Sequence, residues 1–430
     1  MAHRIDEAYA IMQANDRGGY TIPTSRLYPY QWNWDSAFAA LGFAAYDRNR
    51  AWRELETLFD AQWPNGMVPH IVFRRDDPDY FPGPSVWQSN TTPPSSGHSQ
   101  PPVVTSVAKW LIDSGGPDDI ERARNLFPAM MRYHQWFHAA RDPHETGLIA
   151  ITHPWESGRD NCGDWDAAMA RVPVDHGLGD YKRRDVSHVD ASERPTQAQY
   201  DRYLSLVAFG QRTGWDHLEI YKTGPFLMVD PGVHFILMQA DQDLLDMADT
   251  LGFNDDMKVI ESWITRYASA DIQLWNSEIT AFTAMDLKSR KQVPAITNAS
   301  FLSLYAGAGT TDQTRQTVEH LRAIQASCKV GVPSWDPRHQ DYEPQRYWRG
   351  PVWAMMNYLI VLGLERCGEP ELASELQAET LEMIEDAGFY EYFNSKTGEG
   401  CGGPDFTWTA AIYLAWTVGL EAQDADRKAS

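Results

Sequence analysis

The chain has 430 residues, of which 43% are hydrophobic, so it can bury a large core. Its formal net charge is −22, with 37 basic against 59 acidic side chains, which argues against nucleic acid or an anionic membrane as partner because both require basic surface. The N-terminus lacks an apolar segment and no run of about 18 apolar residues occurs. The sequence therefore predicts no secretory signal, no membrane span and, by default, a cytoplasmic location.

Helical periodicity, with apolar residues recurring at three- and four-residue steps, covers most of the chain. The predicted helices are 3–14, 34–46, 49–62, 103–113, 118–141, 196–211, 230–251, 254–269, 294–307, 311–326, 349–365, 369–386 and 404–420. Residues 74–102, 171–194 and 332–348 lack this periodicity. The first of these is rich in Pro, Ser, Gly and Thr but holds several aromatic residues, which favours a lid or binding loop over disorder.

The order of these elements predicts the architecture. Convincing strands are scarce, and helices alternate with short and long loops without a break in composition, so we predict one all-α domain over residues 1–430. Such helix pairs form either a closed toroid or an open solenoid, and the absence of a fixed repeat disfavours the solenoid. In a toroid the loops between helices converge on one face.

Cysteine and histidine residues give no sign of a metal site. The four cysteines are not at C-x-x-C spacing, so we expect reduced thiols rather than a disulfide framework or a zinc site. His134 and His138 are four residues apart on a predicted helix without a clear third ligand, which favours a core or solvent-facing pair. We predict neither a metal nor a cofactor.

The segment 153–166, His-Pro-Trp-Glu-Ser-Gly-Arg-Asp-Asn-Cys-Gly-Asp-Trp-Asp, combines four carboxylates, one arginine and two tryptophans. Ser157 and Gly158 predict a turn there. A carboxylate on a rigid turn beside a Trp ring suits acid chemistry on a sugar, because the ring stacks on the sugar and an apolar wall raises the carboxyl pKa. The alternative is an acidic N-cap of a helix.

Three further loops share this composition of Trp or Tyr beside acidic, amide or arginine side chains. They are Tyr28-Pro-Tyr-Gln-Trp-Asn-Trp-Asp35, Tyr347-Trp-Arg-Gly-Pro-Val-Trp353 and Gly388-Phe-Tyr-Glu-Tyr-Phe-Asn394, the last followed by Phe406-Thr-Trp408. The chain has 17 Trp, which favours a carbohydrate cleft over a generic core. Together the loops predict one aromatic cleft in which two carboxylates face a glycosidic bond.

The chain resembles the clan of inverting glycosidases built on an (α/α)6 barrel, which includes glycoside hydrolase family 63 and the trehalases. The motifs that carry the resemblance are Trp-Asn-Trp-Asp-Ser (32–36), Trp-Pro-Asn-Gly-Met-Val-Pro (63–69), Ser-Gln-Pro-Pro (99–102), Trp-Glu-Ser-Gly-Arg-Asp (155–160), Tyr-Trp-Arg-Gly-Pro-Val-Trp (347–353) and Phe-Tyr-Glu-Tyr-Phe (389–393). They span nearly the whole chain. The length without accessory domains looks most like the mannosylglycerate and glucosylglycerate hydrolases of family 63.

The resemblance implies that Asp160 is the general acid and Glu391 the general base. An inverting enzyme needs a protonated carboxyl and a water-activating carboxylate roughly 6.5–9.5 Å apart. Glu156 and Asp164 are competing acids, although Glu156 is expected to bind sugar hydroxyls or to hold Arg159. Glu399 is the competing base, in a Gly-rich turn without an aromatic neighbour. The structural alternatives are a helix cap for the acid and an exposed loop charge for the base.

The resemblance also implies a set of substrate-binding residues. For the hexose they are Trp34, Asp35, Gln100, Trp155, Trp348 and Trp353, with Tyr30, Glu156 and Arg159 as further members. For a glycerate group they are Arg194, Tyr200, Tyr347, Trp348 and Tyr80, with Arg346 and Arg349 as further candidates. The alternative for the tryptophans is core packing, and for Arg194 a surface salt bridge with Glu193 or Asp190.

The leading hypothesis is an inverting hydrolase of a short α-glycoside, mannosylglycerate or glucosylglycerate. The nearer alternative keeps the fold and takes a neutral disaccharide or oligosaccharide, as the trehalases and α-glucosidases do. A non-catalytic sugar-binding protein is the third reading, and intact acid and base motifs speak against it. The partner is thus a small-molecule sugar. The sequence leaves open the hexose, a monomer or a homodimer, and whether loops 74–102 and 171–194 close over substrate.

Overall fold

The computed structural model describes residues 4–25 and 27–429, and helices dominate this part of the chain. In order they are α1 (Ile5–Asn15), α2 (Asn33–Ala44), α3 (Arg48–Phe59), α4 (Pro84–Trp87), α5 (Val103–Asp113), α6 (Pro117–Arg141), α7 (Asp166–Met169), α8 (Asp185–His188), α9 (Gln197–Arg212), α10 (His217–Thr223), α11 (Pro231–Leu251), α12 (Asn254–Leu274), α13 (Leu302–Ala306), α14 (Thr311–Gln325), α15 (Ala354–Arg366), α16 (Pro370–Ala387) and α17 (Thr407–Ala429). None of these helices is long and apolar enough to cross a membrane.

Local sequence signals explain where several helices begin and end. Asp230 caps α11 by accepting from the backbone N–H groups of Gly232 and Val233, and Pro231 occupies the first helical position, where its missing N–H costs nothing. Gly252 ends the same helix at φ +81°, a backbone conformation that glycine adopts without strain. Thr310 and Gln313 form a reciprocal capping box at the start of α14.

Six of the described helices close into a ring. Each contacts the next in the order α2, α5, α11, α13, α15 and α17, and α17 returns to α2. The other long helices pack outside them: α3 on α2, α6 on α5 and α11, α12 on α11, α14 on α13, α16 on α15 and α1 on α17. This part of the chain is therefore an (α/α)6 barrel, which confirms the fold that the resemblance implied.

Loop lengths around the ring differ systematically. The segments that run from an inner helix to the next outer helix are short, such as 45–47 and 252–253. The segments that run from an outer helix into an inner one are long, such as 142–230 and 326–353. All the long loops therefore approach the N-terminal ends of the inner helices, and the barrel has one elaborated face.

Short antiparallel strands order these loops. They are β1 (Gln31–Trp32) with β2 (Ile71–Val72), a four-stranded sheet in the order β3 (Ala150–Ile151), β4 (Met228–Val229), β7 (Met285–Asp286) and β8 (Lys291–Gln292), the pair β5 (Trp275–Asn276) and β6 (Ala281–Phe282), and the pair β9 (Tyr390–Phe393) and β10 (Gly400–Pro404). The register of the last pair shifts between Cys401 and Pro404, opposite Glu391. This irregularity is a bulge that aims one side chain of the hairpin.

Two predicted helices need correction, and one helix was missed. The helix predicted to start at 349 begins at Ala354, because Pro351 cannot pair inside a helix and the backbone stays extended up to Trp353. The helix predicted over 294–307 is a 3₁₀ turn at Asn298–Phe301 followed by the one-turn α13. Helix α10 was not predicted, and its seven residues are too few for a clear periodicity.

Of the two alternatives for His134 and His138, a core pair or a solvent-facing pair, the structure shows the core pair. His134 Nδ1 and His138 Nε2 lie 2.6 and 2.9 Å from the two carboxylate oxygens of Asp241, and the Tyr267 hydroxyl donates to the same carboxylate at 2.6 Å. Asp241 is fully buried. This network ties α6, α11 and α12 together behind the inner ring.

Candidate active site

A cavity of about 910 Å³, part of it open to solvent, lies at the elaborated face of the barrel. It is a cleft lined mainly by aromatic side chains with a few polar groups, which is typical of a small-molecule site. Twelve of the sequence-predicted residues line it: Trp34, Asp35, Tyr80, Gln100, Trp155, Asp160, Arg194, Tyr200, Tyr347, Trp348, Trp353 and Glu391. The structure thus brings together all four aromatic and acidic loops, from chain segments that are hundreds of residues apart.

Five predicted substrate-binding residues do not line the cavity, and their charges or rings have structural partners. Arg346, a further candidate for the glycerate group, pairs with Glu343. Glu156 pairs with Arg141, which donates from Nε at 3.1 Å, and it does not hold Arg159 as expected. Arg159 instead pairs with two buried carboxylates, Asp230 and Asp164.

Arg349 and Tyr30 are the other two. The Arg349 guanidinium pairs with Asp166 rather than facing the cavity. Tyr30 is fully buried and packs edge-on against the Tyr80 ring at 4.9 Å between centroids. Tyr30 therefore supports a cavity residue from behind instead of meeting substrate.

Asp160 is aimed by the turn that the sequence predicted. Gly158 has φ +68°, and a Cβ atom there would collide with the Trp34 ring, so only glycine allows the chain this close to the aromatic wall. The Tyr203 hydroxyl donates to the Asp160 backbone carbonyl at 2.9 Å and fixes the residue after the turn. Asp160 does not cap a helix, which removes the structural alternative for it.

The environment of Asp160 keeps its carboxyl protonated near neutral pH. Burial raises the pKa of Asp160 to about 8; Arg194 opposes this rise, while Glu391 and Asp185 add to it. A carboxylic acid that holds its proton at pH 7 can donate it to a leaving group. Asp160 therefore has the protonation state that a general acid requires.

Glu391 lies on β9 and is 1% exposed. Arg194 donates to both of its oxygens, from Nη2 to Oε2 at 2.6 Å and from Nη1 to Oε1 at 3.3 Å. The Tyr28 hydroxyl donates to Oε1 at 2.9 Å, and the backbone N–H of Gly403 donates to Oε2 at 3.2 Å. Glu391 is therefore buried and hydrogen-bonded on both oxygens, and it is not the exposed loop charge that was the structural alternative.

Arg194 has a different partner from either one weighed in the sequence. It does not pair with Glu193 or Asp190 at the surface, since its guanidinium is 1% exposed and faces Glu391. It lies over the Tyr347 ring at 4.6 Å from the centroid, and its Nε has no hydrogen-bond acceptor. Arg194 is thus inside the cavity, next to the second acid.

Stacked tryptophans form one wall of the cavity. Trp348 and Trp353 lie parallel at 3.8 Å between centroids, and Trp34 approaches Trp348 at 6.1 Å. Trp353 precedes α15 and is not inside a helix, so the expectation that it belongs to a helical run is wrong. Each of these rings is buried in the core and also lines the cavity, so core packing does not prevent contact with a sugar.

Asp35 is a second buried carboxyl in the cavity. Burial raises the pKa of Asp35 well above its usual range, and the nearby charge of Glu391 raises it further. A neutral carboxyl can donate one hydrogen bond and accept others, which suits the hydroxyl groups of a sugar. Gln100 lies beside it, with Oε1 accepting from the Trp34 backbone N–H at 3.3 Å.

Sequence reasoning missed several cavity residues. Tyr28 belongs to the first aromatic motif but was not among the predicted site residues, although its hydroxyl contacts both Arg194 and Glu391. Arg184 and Asp185 come from loop 171–194, whose lack of periodicity gave no signal. Trp408 also lines the cavity, and its place after the Gly-rich turn was the one available hint.

Loops 74–102 and 171–194 meet at the cavity. Arg184 Nη1 lies 3.0 Å from the Asp77 carboxylate, and the rings of Phe81 and Tyr181 stack at 4.9 Å. The two loops therefore share a wall of the cavity. In the described part of the chain no group of three or more His, Cys, Asp or Glu side chains could hold a metal ion.

Comparison with known proteins agrees with this geometry. A family model described as the mannosylglycerate hydrolase MGH1-like glycoside hydrolase domain matches residues 28–409. This chain belongs to that family. It is therefore a glycosidase, an enzyme that hydrolyses O-glycosyl bonds.

Relatives of this glycosidase match it along almost its full length. The mannosylglycerate hydrolase of Thermus thermophilus is 43% identical over 416 residues, which cover 96% of this chain and 100% of that protein. The glucosylglycerate hydrolase of Mycolicibacterium hassiacum is 34% identical over 427 residues, covering 94% of this chain and 96% of that one. A crystal structure of the family 63 mannosylglycerate hydrolase from Thermus thermophilus in complex with Tris and D-glycerate superposes with a TM-score of 0.92 at 44% identity, covering 96% of this chain and 99% of that one.

Proposed function

We propose that this glycosidase hydrolyses an α-hexosyl glycerate, mannosylglycerate or glucosylglycerate, with inversion at the anomeric carbon. The observation that carries the proposal is the pair of acids in one cavity: Asp160, whose pKa is raised to about 8 by burial, and Glu391, which forms an ion pair with Arg194. One donates a proton at neutral pH and the other accepts one. Similarity to hydrolases of both glycerate glycosides supports the substrate class.

In the proposed reaction Asp160 protonates the glycosidic oxygen as the C1–O bond breaks. A water molecule attacks C1 from the opposite face, and Glu391 takes the water proton. Asp160 ends ionised and Glu391 protonated, and exchange with solvent restores both. The products are a hexose of inverted anomeric configuration and free glycerate.

The hexose would lie against the tryptophan wall, where its C–H faces meet the rings of Trp34 and Trp348. Asp35 and Gln100 are placed to bind its hydroxyls. Burial of the sugar there removes water from the two acids, which strengthens their interaction with the charge that develops at C1. We assign these residues to the hexose subsite.

The glycerate would lie on the side of the cavity lined by Arg194, Tyr200, Tyr347 and Tyr80. A guanidinium and phenol hydroxyls are the donors that a hydroxy acid needs. Because Arg194 also touches Glu391, its replacement by alanine would disturb the base and the aglycone site together. A change in the substrate is therefore the cleaner test of carboxylate recognition.

The test is a hydrolysis panel of α-mannosylglycerate, α-glucosylglycerate, trehalose and kojibiose, with α-mannosylglycerol and α-glucosylglycerol as neutral matches for the first two. We expect kcat/KM for a glycerate glycoside to exceed that for its glycerol match at least a hundredfold, because the neutral aglycone offers no carboxylate to the hydrogen-bond donors on that side of the cavity. Asp160→Asn and Glu391→Gln should each lose most of the turnover. A preference for trehalose or kojibiose, or normal turnover in either variant, would contradict the proposal.

A further inference from the structure

The hydrogen bonds around Glu391 leave no room for the proton that it must take. A carboxylate has about four acceptor positions, two on each oxygen. On Oε1 they are used by the Tyr28 hydroxyl at 2.9 Å and Arg194 Nη1 at 3.3 Å. On Oε2 they are used by Arg194 Nη2 at 2.6 Å and the Gly403 N–H at 3.2 Å. A water molecule cannot hydrogen-bond to Glu391 until one of these donors leaves.

Three contacts show which donor can leave. The Gly403 N–H belongs to the backbone of β10, and the ring of Tyr28 is packed edge-on against Trp32 at 5.3 Å. Arg194 supplies two of the four bonds from a long side chain on the loop just before α9. Its guanidinium rests on the Tyr347 ring at 4.6 Å and also donates to the Tyr28 hydroxyl at 2.9 Å.

Arg194 also carries an unused donor. Its Nε is buried and has no hydrogen-bond acceptor in the described part of the protein. A buried N–H without a partner is costly, and a carboxylate beside it would supply the missing acceptor. The arginine that covers the base is therefore also the group prepared to bind an incoming anion.

We infer that Arg194 caps Glu391 in the resting enzyme and is drawn off it by the carboxylate of the bound aglycone, so that an anionic aglycone switches the base on. The inference rests on the proposed function, since it takes Glu391 as the base and glycerate as the aglycone. It adds that the carboxylate acts on kcat and not only on binding. A neutral glycoside would bind beside a base that remains capped.

The test separates the aglycone from the bond that breaks. α-Mannosyl fluoride and α-glucosyl fluoride leave the aglycone region free for added D-glycerate. In their hydrolysis a water oxygen bonds to C1, the C1–F bond breaks with its electron pair leaving on fluoride, and Glu391 takes the water proton. Free hexose is measured against D-glycerate concentration, with glycerol as the neutral match.

We expect saturating D-glycerate to raise kcat for the fluoride at least tenfold in the wild-type enzyme, and glycerol to leave it unchanged. Arg194→Gln should hydrolyse the fluoride without glycerate at about the activated wild-type rate and should not respond to glycerate. Arg171→Gln is the matched control, because Arg171 lies on the same loop but pairs with Asp286 away from the cavity, so activation should persist. The wild-type comparison stands even if the Arg194 variant does not fold.

Either of two results would overturn the cap: D-glycerate that only competes with the fluoride or has no effect, or a folded Arg194→Gln protein that hydrolyses the fluoride slowly. The second would mean that the arginine assists the base. Parallel assays on mannosylglycerate and glucosylglycerate show whether a negative result contradicts the Arg194 cap alone or also the proposed function. Turnover of these without activation by glycerate refutes the cap alone, whereas inactivity on every substrate refutes the proposed function and the cap with it.

Discussion

Replacing the proposed acid should make the protein more stable. Burial raises the pKa of Asp160 to about 8, from 3.8 in an unfolded chain. Below pH 3.8 the carboxyl is protonated in both the folded and the unfolded state, so its contribution to stability is fully present. As pH rises from 3.8 toward 8, the unfolded chain ionises first, and the free energy of unfolding falls. The raised pKa therefore lowers the free energy of unfolding by about 4 kcal/mol at pH 7 and by about 1 kcal/mol at pH 4.5. Asp160→Asn removes this cost while keeping the side-chain shape.

The assay is urea unfolding of wild type and Asp160→Asn at both pH values. We expect the variant to be more stable at pH 7, with about 4 kcal/mol as an upper limit since cavity water screens part of the shift, and the gain to shrink at pH 4.5. Asp241→Asn is the opposite control: burial would raise the pKa of Asp241, but His138 and His134 hold it well below its usual range. Replacing the Asp241 carboxylate should therefore destabilise the protein at pH 7 by about 3–5 kcal/mol. An Asp160→Asn protein that is less stable at pH 7, or a gain equal at both pH values, would show that Asp160 is ionised in the folded enzyme.

Three further outcomes are expected. The kcat/KM of the wild-type enzyme should fall tenfold per pH unit above about pH 8, as Asp160 loses its proton, and a pH-rate profile that stays flat to pH 10 would contradict this assignment. Gly402→Ala should lower kcat more than tenfold, because the added Cβ would collide with Glu391 Oε2. Gly252→Ala is the control, since Gly252 has a similar positive φ and nothing near its Cβ. It should lower the free energy of unfolding by about 1 kcal/mol and leave kcat unchanged. Arg159→Met should destabilise the protein by about 3–5 kcal/mol in urea unfolding and leave KM unchanged in the folded fraction. A raised KM without destabilisation would instead show that Arg159 contacts the substrate, as the sequence predicted.

Most of the long helices were predictable because they carry regular apolar periodicity, whereas the closed ring of six was implied by the family resemblance. The short strands were not predictable, since two-residue pairs such as Gln31–Trp32 show no alternation to detect. The start of α15 was misplaced because the apolar residues before Ala354 fit a helical pattern that Pro351 interrupts. Periodicity therefore finds the barrel helices and misses the loop geometry that builds the site.

Within the site, motifs located the two acids but not their partners. Glu391 and Arg194 are 197 residues apart in the chain, and Arg159 and Asp230 are 71 apart, so nothing local in the sequence pairs them. Arg159 stands directly before Asp160 in the motif, yet its guanidinium turns away into a buried ion pair. Charged residues in one motif thus divide between the cavity and buried ion pairs according to distant partners, which only the fold reveals.

The most direct test of the central claim is the anomeric configuration of the hexose at the moment of release. ¹H NMR of α-glucosylglycerate or α-mannosylglycerate hydrolysis, followed faster than mutarotation, should show the β-hexose first and the α-hexose growing in later. That order follows from Asp160 as acid and Glu391 as base acting on a single water. The α-hexose as first product would mean a covalent double displacement, and it would contradict the roles assigned to both residues.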